Sequence, residues 1–153
     1  MNFRNTISRI LVIILMILPL TAQSEDLIMR RIAMGFPEAM NALQASIVKQ
    51  DYRVSRVQRV DIGLTSSGYD TAEYRIVFFI RPDQLDMIET KHPHMIPFMP
   101  LKITIFAEGD DTILVTLNPL KLNEFFPDEG LGEQYAAWEK DIIEVLDRVQ
   151  SEQ

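Results

Sequence analysis

Apolar and polar positions along this chain repeat at two periods, and the switches between them mark out its elements. The period of two is clearest from Met95 to Leu122, where Leu101-Lys102-Ile103-Thr104-Ile105-Phe106-Ala107 and Thr112-Ile113-Leu114-Val115-Thr116-Leu117 flank an acidic turn, Glu108-Gly109-Asp110-Asp111. Pro97, Pro100 and Pro119 bound the pair where a strand can no longer donate to a ladder. The stretch predicts a β-hairpin.

The same reading extends over the rest of the chain. Leu27 to Ala33 alternates as a short strand before Gly35. Phe36-Pro37-Glu38 opens a helix, since proline is tolerated in a first turn and an acid there complements the dipole. Phe36, Met40, Leu43 and Ile47 then recur on one helix face. Tyr52 to Ile62 is a strand in which Val54, Val57, Val60 and Ile62 are β-branched, and the slip in their spacing predicts a bulge or a late start. Leu64 to Gly68 is a turn or a single helical turn. The nearly continuous apolar run from Tyr74 to Ile80 reads as a strand covered on both faces.

Arg81-Pro82-Asp83 restarts a helix, with Leu85, Met87 and Ile88 on its apolar side, and His92-Pro93 stops it. Leu120 to Phe126 is a short helical turn ended by Pro127. A last helix from about Glu133 to Val149 carries the stripe Tyr135, Trp138, Ile142, Val145, Leu146 and Val149. This order predicts an α+β fold, a two-layer sandwich of a mostly antiparallel sheet with helices on one face. Such a sheet leaves a second face to be covered, by a second copy or by a ligand.

Composition changes the picture at the N-terminus and in the choice of partners. Arg4 and Arg9 precede an apolar run, Ile10 to Leu20, and Ala22 and Ser24 follow at the spacing a signal peptidase accepts. Residues 1–24 therefore read as a secretory signal peptide and 25–153 as one α+β domain, periplasmic or secreted. Eleven apolar residues fall short of the ~20 a membrane-spanning helix needs, so no stable membrane anchor is expected after cleavage. The 153-residue chain has 22 acidic and 15 basic residues, a net charge of −7, and loss of Arg4 and Arg9 with the leader takes this to −9. An acidic surface repels phosphate backbones, so nucleic acid is not an expected partner. Cysteine is absent, which removes disulfides, thiolate metal sites and cysteine nucleophiles together.

Several segments carry a resemblance. Phe36-Pro37-Glu38-Ala39-Met40, Val60-Asp61-Ile62, the strand Tyr74 to Ile80, Met99-Pro100-Leu101-Lys102-Ile103, Glu108-Gly109-Asp110 and Leu117-Asn118-Pro119 together resemble the bacterial family known as domain of unknown function 302. The likeness runs from about Met29 to Val149. It implies a compact two-layer α/β domain that tends to dimerise, and it carries over no catalytic residue. His92 and His94 lie outside the family pattern.

Those histidines are the chain's only two, separated by Pro93 and followed by Met95 and Met99. Proline biases His92 toward an extended conformation, in which residues two apart point the same way. His92, His94, Met95 and Met99 thus form a candidate site for a soft or borderline ion such as copper, set against the reading of surface histidines over core-filling methionines. Glu108, Asp110 and Asp111 lack the ligand spacing of a calcium loop. Gly63 to Gly68 lacks the lysine of a phosphate loop, and Arg53, Arg56 and Arg59 read as exposed partners of nearby acids. Neither a nucleophile elbow nor a zinc helix is present. The chain reads as an exported binding or interaction domain, non-enzymatic and dimeric, that holds a small ligand or an envelope protein near the hairpin. The alternative is a periplasmic copper-handling protein using the His/Met cluster. No cofactor is specified by the sequence.

Overall fold

A computed structural model describes residues 26–127 and 130–153, so the expected signal peptide, residues 1–24, lies outside the described residues. The chain forms β1 (Leu27–Ile32), α1 (Phe36–Lys49), β2 (Arg53–Arg59), α2 (Val60–Ser66), β3 (Tyr74–Ile80), α3 (Pro82–Lys91), a 3₁₀ segment (Pro93–Phe98), β4 (Leu101–Glu108), β5 (Asp111–Leu117), a 3₁₀ turn (Pro119–Lys121), α4 (Leu122–Phe125) and α5 (Gly132–Ser151). The five strands make one sheet in the order β1-β5-β4-β3-β2, and every neighbouring pair is antiparallel. This is the α+β two-layer arrangement that the periodicities predict.

The hairpin is the centre of the sheet's connectivity. Gly109 takes φ +64° in the two-residue turn between β4 and β5, a left-handed conformation that glycine adopts at no steric cost. At the other end of β5, the Asn118 side chain accepts from the Leu120 amide at 2.9 Å and donates to Glu139 Oε1 at 2.6 Å. Asn118 is buried, and these bonds turn the chain from the sheet toward α5.

Strand alternation sends Ile28 and Ile32, Val77 and Phe79, Leu101, Ile103 and Ile105, and Leu114 to the helix side. There they meet Ala39, Leu43 and Ile47 of α1 and all six predicted stripe residues of α5, each of which is buried. Six such side chains at roughly 1.5–3 kcal/mol each are the main force docking α5. Ile88 of α3 and Met95 complete the layer.

Two elements depart from the sequence expectation. β2 ends at Arg59, so Val60 and Ile62 lie in α2 and not in the strand. The cause is tertiary: Arg75 of β3 points to the helix side, buried, with its guanidinium 5.3 Å from the Phe36 ring. Turning the chain at Val60 brings the Asp61 carboxylate onto that cation as an ion pair, an interaction that outweighs the β-propensity of valine and isoleucine. The expected bulge in β2 does occur, between Val54 and Arg56. The second departure is β3, which helices cover on one face only, leaving Tyr74, Ile76 and Phe78 half-buried.

Candidate functional site

The uncovered face carries Leu27, Met29 and Arg31 of β1, Ile113, Val115 and Leu117 of β5, Lys102, Thr104, Phe106 and Glu108 of β4, and Tyr74, Ile76 and Phe78 of β3. An antiparallel sheet with one face in water ordinarily alternates apolar with polar residues, and this one does not. Leu27, Met29 and Leu117 are 49%, 51% and 46% exposed. Tyr74, Phe106, Thr104 and Val115 line a shallow hollow of about 590 Å³, with Thr71 to Glu73 along its rim. Contiguous apolar surface on this scale marks an interaction site more often than bare solvent-facing sheet.

Apart from the exposed Lys102 on the central strand β4, charge on that face lies toward its edges. Arg31 binds both Glu108 and Asp111, the latter at 3.0 Å, and both partners raise the guanidinium pKa. Two carboxylates of the acidic hairpin turn are therefore held by an arginine. At the opposite edge, Arg53, Arg56 and Arg59 of β2 make no ion pair among the described residues, against the expectation that nearby acids would take them. Exposed cations on an edge strand discourage pairing with a foreign strand.

The histidine segment differs from the extended form its proline predicts. Pro93 starts a 3₁₀ segment in which the Met95 amide donates to the His92 carbonyl at 2.9 Å and Met99 to Ile96 at 3.0 Å. At three residues per turn, side chains two apart no longer align. Met95 is fully buried, and its Sδ accepts from the Tyr135 hydroxyl at 3.2 Å. Met99 packs against the core edge. His92 and His94 have ring centroids 6.3 Å apart, and His94 lies 5.2 Å from Phe126. Of the four candidate ligands, the structure places the two imidazoles side by side and turns the thioether of Met95 inward. No group of three or more histidine and acidic side chains is arranged for a metal among the described residues.

A polar cluster that the sequence does not announce joins α1, β2, β3 and α5. Asp141 accepts from the Tyr52 hydroxyl at 2.8 Å, from Gln50 Nε2 at 3.0 Å and from Arg81 Nη1 at 3.0 Å. The Arg81 guanidinium stacks 4.1 Å from the Tyr52 ring, and Arg148 donates to the Ser46 carbonyl and to Gln50 Oε1, both at 3.0 Å. Burial first, then the Asp141 bond and charge, push the Tyr52 hydroxyl far above its ordinary pKa. Its members bond to one another across 89 residues of sequence, so the cluster acts as a clamp. The signal missing from the sequence is that proximity, since Tyr52 and Asp141 each look unremarkable in their own segments.

The comparisons agree with this geometry. A crystal structure of an uncharacterized conserved DUF302 protein from Bacillus stearothermophilus superposes with a TM-score of 0.75 at 21% identity, covering 82% of this chain and 99% of that one. At that identity the likeness establishes the fold. A search of the curated proteins found no match. The model of the domain of unknown function DUF302 matches residues 28–149, which takes in all five strands and nearly all of α5, and on that match the chain belongs to the DUF302 family.

Proposed function

We propose that this protein is an exported, non-enzymatic interaction domain that works as a homodimer, two copies closing their uncovered sheet faces on each other. The observation that carries the reading is the largely apolar face of β1, β5, β4 and β3, on which, among the described residues, Lys102 of β4 is the one charge set away from the edges. A two-fold pairing presents one self-complementary patch to itself, and a largely apolar patch suits that better than a densely charged one. Four strands at ~4.8 Å spacing and about seven residues at ~3.3 Å give roughly 440 Å² in projection. Side-chain relief adds to this, toward the ~800 Å² per partner of a standard interface.

Export rests on Arg4 and Arg9, the apolar run Ile10 to Leu20 and the small residues Ala22 and Ser24. A non-enzymatic role is supported by the way the polar groups around Asp141 are taken up in bonds to one another. Light scattering coupled to gel filtration tests the dimer, which is expected at twice the chain mass; a monomer at every loading concentration overturns it.

A second reading, envelope copper handling, rests on the adjacent rings of His92 and His94. Ring nitrogens bind such ions at about 2 Å, so two neighbouring imidazoles can share one. Titration with Cu(I) and Cu(II) decides it. Equal affinity in the wild type and in a His92→Ala, His94→Ala double variant removes the site.

A further inference from the structure

Where β4 begins and β5 ends, the 3₁₀ segment and Pro119 enclose a second cavity, of about 230 Å³, apart from the shallow hollow of the sheet face. Its wall is mostly apolar, with Phe98, Pro100, Leu101, Leu122 and Ile142 among the lining residues. Leu101, Leu122 and Ile142 are each less than a tenth exposed, so the cavity reaches down to α5 and the core.

One charged side chain lines it, Lys102. Among the described residues no carboxylate makes an ion pair with Lys102, whereas nearby Lys121 is held by Asp26 at 2.7 Å and Glu124 at 2.9 Å. The remaining polar lining group, the Thr116 hydroxyl, already donates to the Lys102 carbonyl at 2.6 Å. The cavity therefore offers contact to an apolar body and one exposed cation to a charge.

We infer that this cavity binds a small organic monoanion with a compact apolar body, of the medium-chain or aryl carboxylate class. Size sets the class: an apolar cavity of ~150 Å³ holds one benzene ring, so this one takes a ring with a short side chain or an acyl chain of about eight carbons. Charge sets the sign, because a neutral ligand of the same shape has no charge–charge attraction to Lys102. Binding here does not require pairing of the sheet faces, although Leu117 and Lys102 belong to both the cavity and the face.

Octanoate and phenylacetate, with octanol and 2-phenylethanol as their neutral counterparts, are titrated into the purified protein and followed by methyl NMR. The expected shifts fall on Leu101, Leu122 and Ile142, and each carboxylate binds more tightly than its alcohol. Lys102→Met, an exposed substitution that keeps an apolar stem, is expected to weaken octanoate about three- to fivefold at low salt and to leave octanol unchanged. Equal binding of acid and alcohol overturns the inference. So do an unchanged octanoate affinity in Lys102→Met, shifts on Met29 and Val115 instead, or no shifts at all. Light scattering on the same samples separates the two proposals: a monomer that binds octanoate sinks the pairing alone, and a dimer that ignores octanoate sinks the cavity alone.

Discussion

Replacing Met29 by glutamate probes the pairing at its most exposed apolar position. Met29 is 51% exposed and sits opposite Val115, two residues from the pair Leu27–Leu117, whose members are 49% and 46% exposed. Burying the open halves of Leu27, Met29 and Leu117 contributes about 2–4.5 kcal/mol per copy, taking ~1.5–3 kcal/mol for each fully buried side chain. Two-fold symmetry doubles this to about 4–9 kcal/mol, before the loss of translational and rotational freedom is set against it. Together with Phe106, Tyr74, Ile76 and Phe78 that scale fits a dimer of about micromolar affinity, near −8 kcal/mol.

A carboxylate at position 29 enters the interface twice, among the apolar side chains of Leu27, Val115 and Leu117, and burying a charge there costs several kcal/mol. About 4 kcal/mol already moves a micromolar dimer to millimolar. Sedimentation velocity from about 5 to about 500 μM is the assay, since that range brackets a micromolar constant. The wild type is expected to move from mixed species to dimer, Met29→Glu to stay monomeric, and Met29→Leu to follow the wild type. Because residue 29 faces solvent in the single copy, the monomer's own stability should change by no more than about 0.5 kcal/mol. A wild type that is monomeric throughout, or a glutamate variant as dimeric as the wild type, refutes the reasoning.

Other consequences follow from the helix side of the sheet. Asp61→Asn strips the buried Arg75 of its carboxylate and is expected to lose about 2–3 kcal/mol in urea unfolding at neutral pH, below the full value for a buried pair because Asp61 keeps 14% of its surface. Burial opposes ionisation of Asp61, but the Arg75 bond, the Ile62 amide and the charges of Arg75 and Arg59 outweigh it and hold its pKa below the ordinary 3.8. Its contribution is thus complete above that ordinary value and lost as pH falls through the depressed one, so the variant's stability should fall less steeply than the wild type's below about pH 4. Tyr52 titrates in the opposite sense: its raised pKa makes its contribution constant up to the ordinary value of 10 and declining above it. Absorbance at 295 nm should show at least one of the four tyrosines resisting ionisation until the protein unfolds, and Tyr52→Phe should remove that fraction and about 1 kcal/mol. Asn118→Ala removes the bonds to the Leu120 amide and to Glu139, for an expected loss of about 1–2 kcal/mol by thermal melt.

Most elements were legible because each buries one face, and one buried face writes a period into the sequence. The stripe of α5 shows this most plainly, since all six of its predicted residues are buried. Illegible were the features set by partners far along the chain. Val60 and Ile62 have strand propensity, and only the placement of Arg75 behind them makes a helix at Asp61 the better arrangement. In the same way, Met95 reads as a soft ligand next to His94 in sequence, yet the 3₁₀ turn carries it under Tyr135. Nothing within residues 92–99 encodes that hydroxyl.

The uncovered face was legible in another form. The apolar run Tyr74 to Ile80 reads as a strand covered on both sides, and in a single copy the helices cover one. The two statements agree once something apolar sits on Tyr74, Ile76 and Phe78. The sheet itself indicates how far that cover extends. On β2, next to β3, the same face turns to Arg56 and Gln58, which pair with Phe78 and Ile76. At the other edge, Arg31 and its two acids close the hairpin end of β1 and β5. The apolar surface therefore gives way to polar and charged residues at β2 and at the hairpin end of β1 and β5, with the charge of Lys102 between them. A face meant only for water would carry such residues throughout, whereas a border of charge around an apolar centre is how an interface limits itself to one partner in one register.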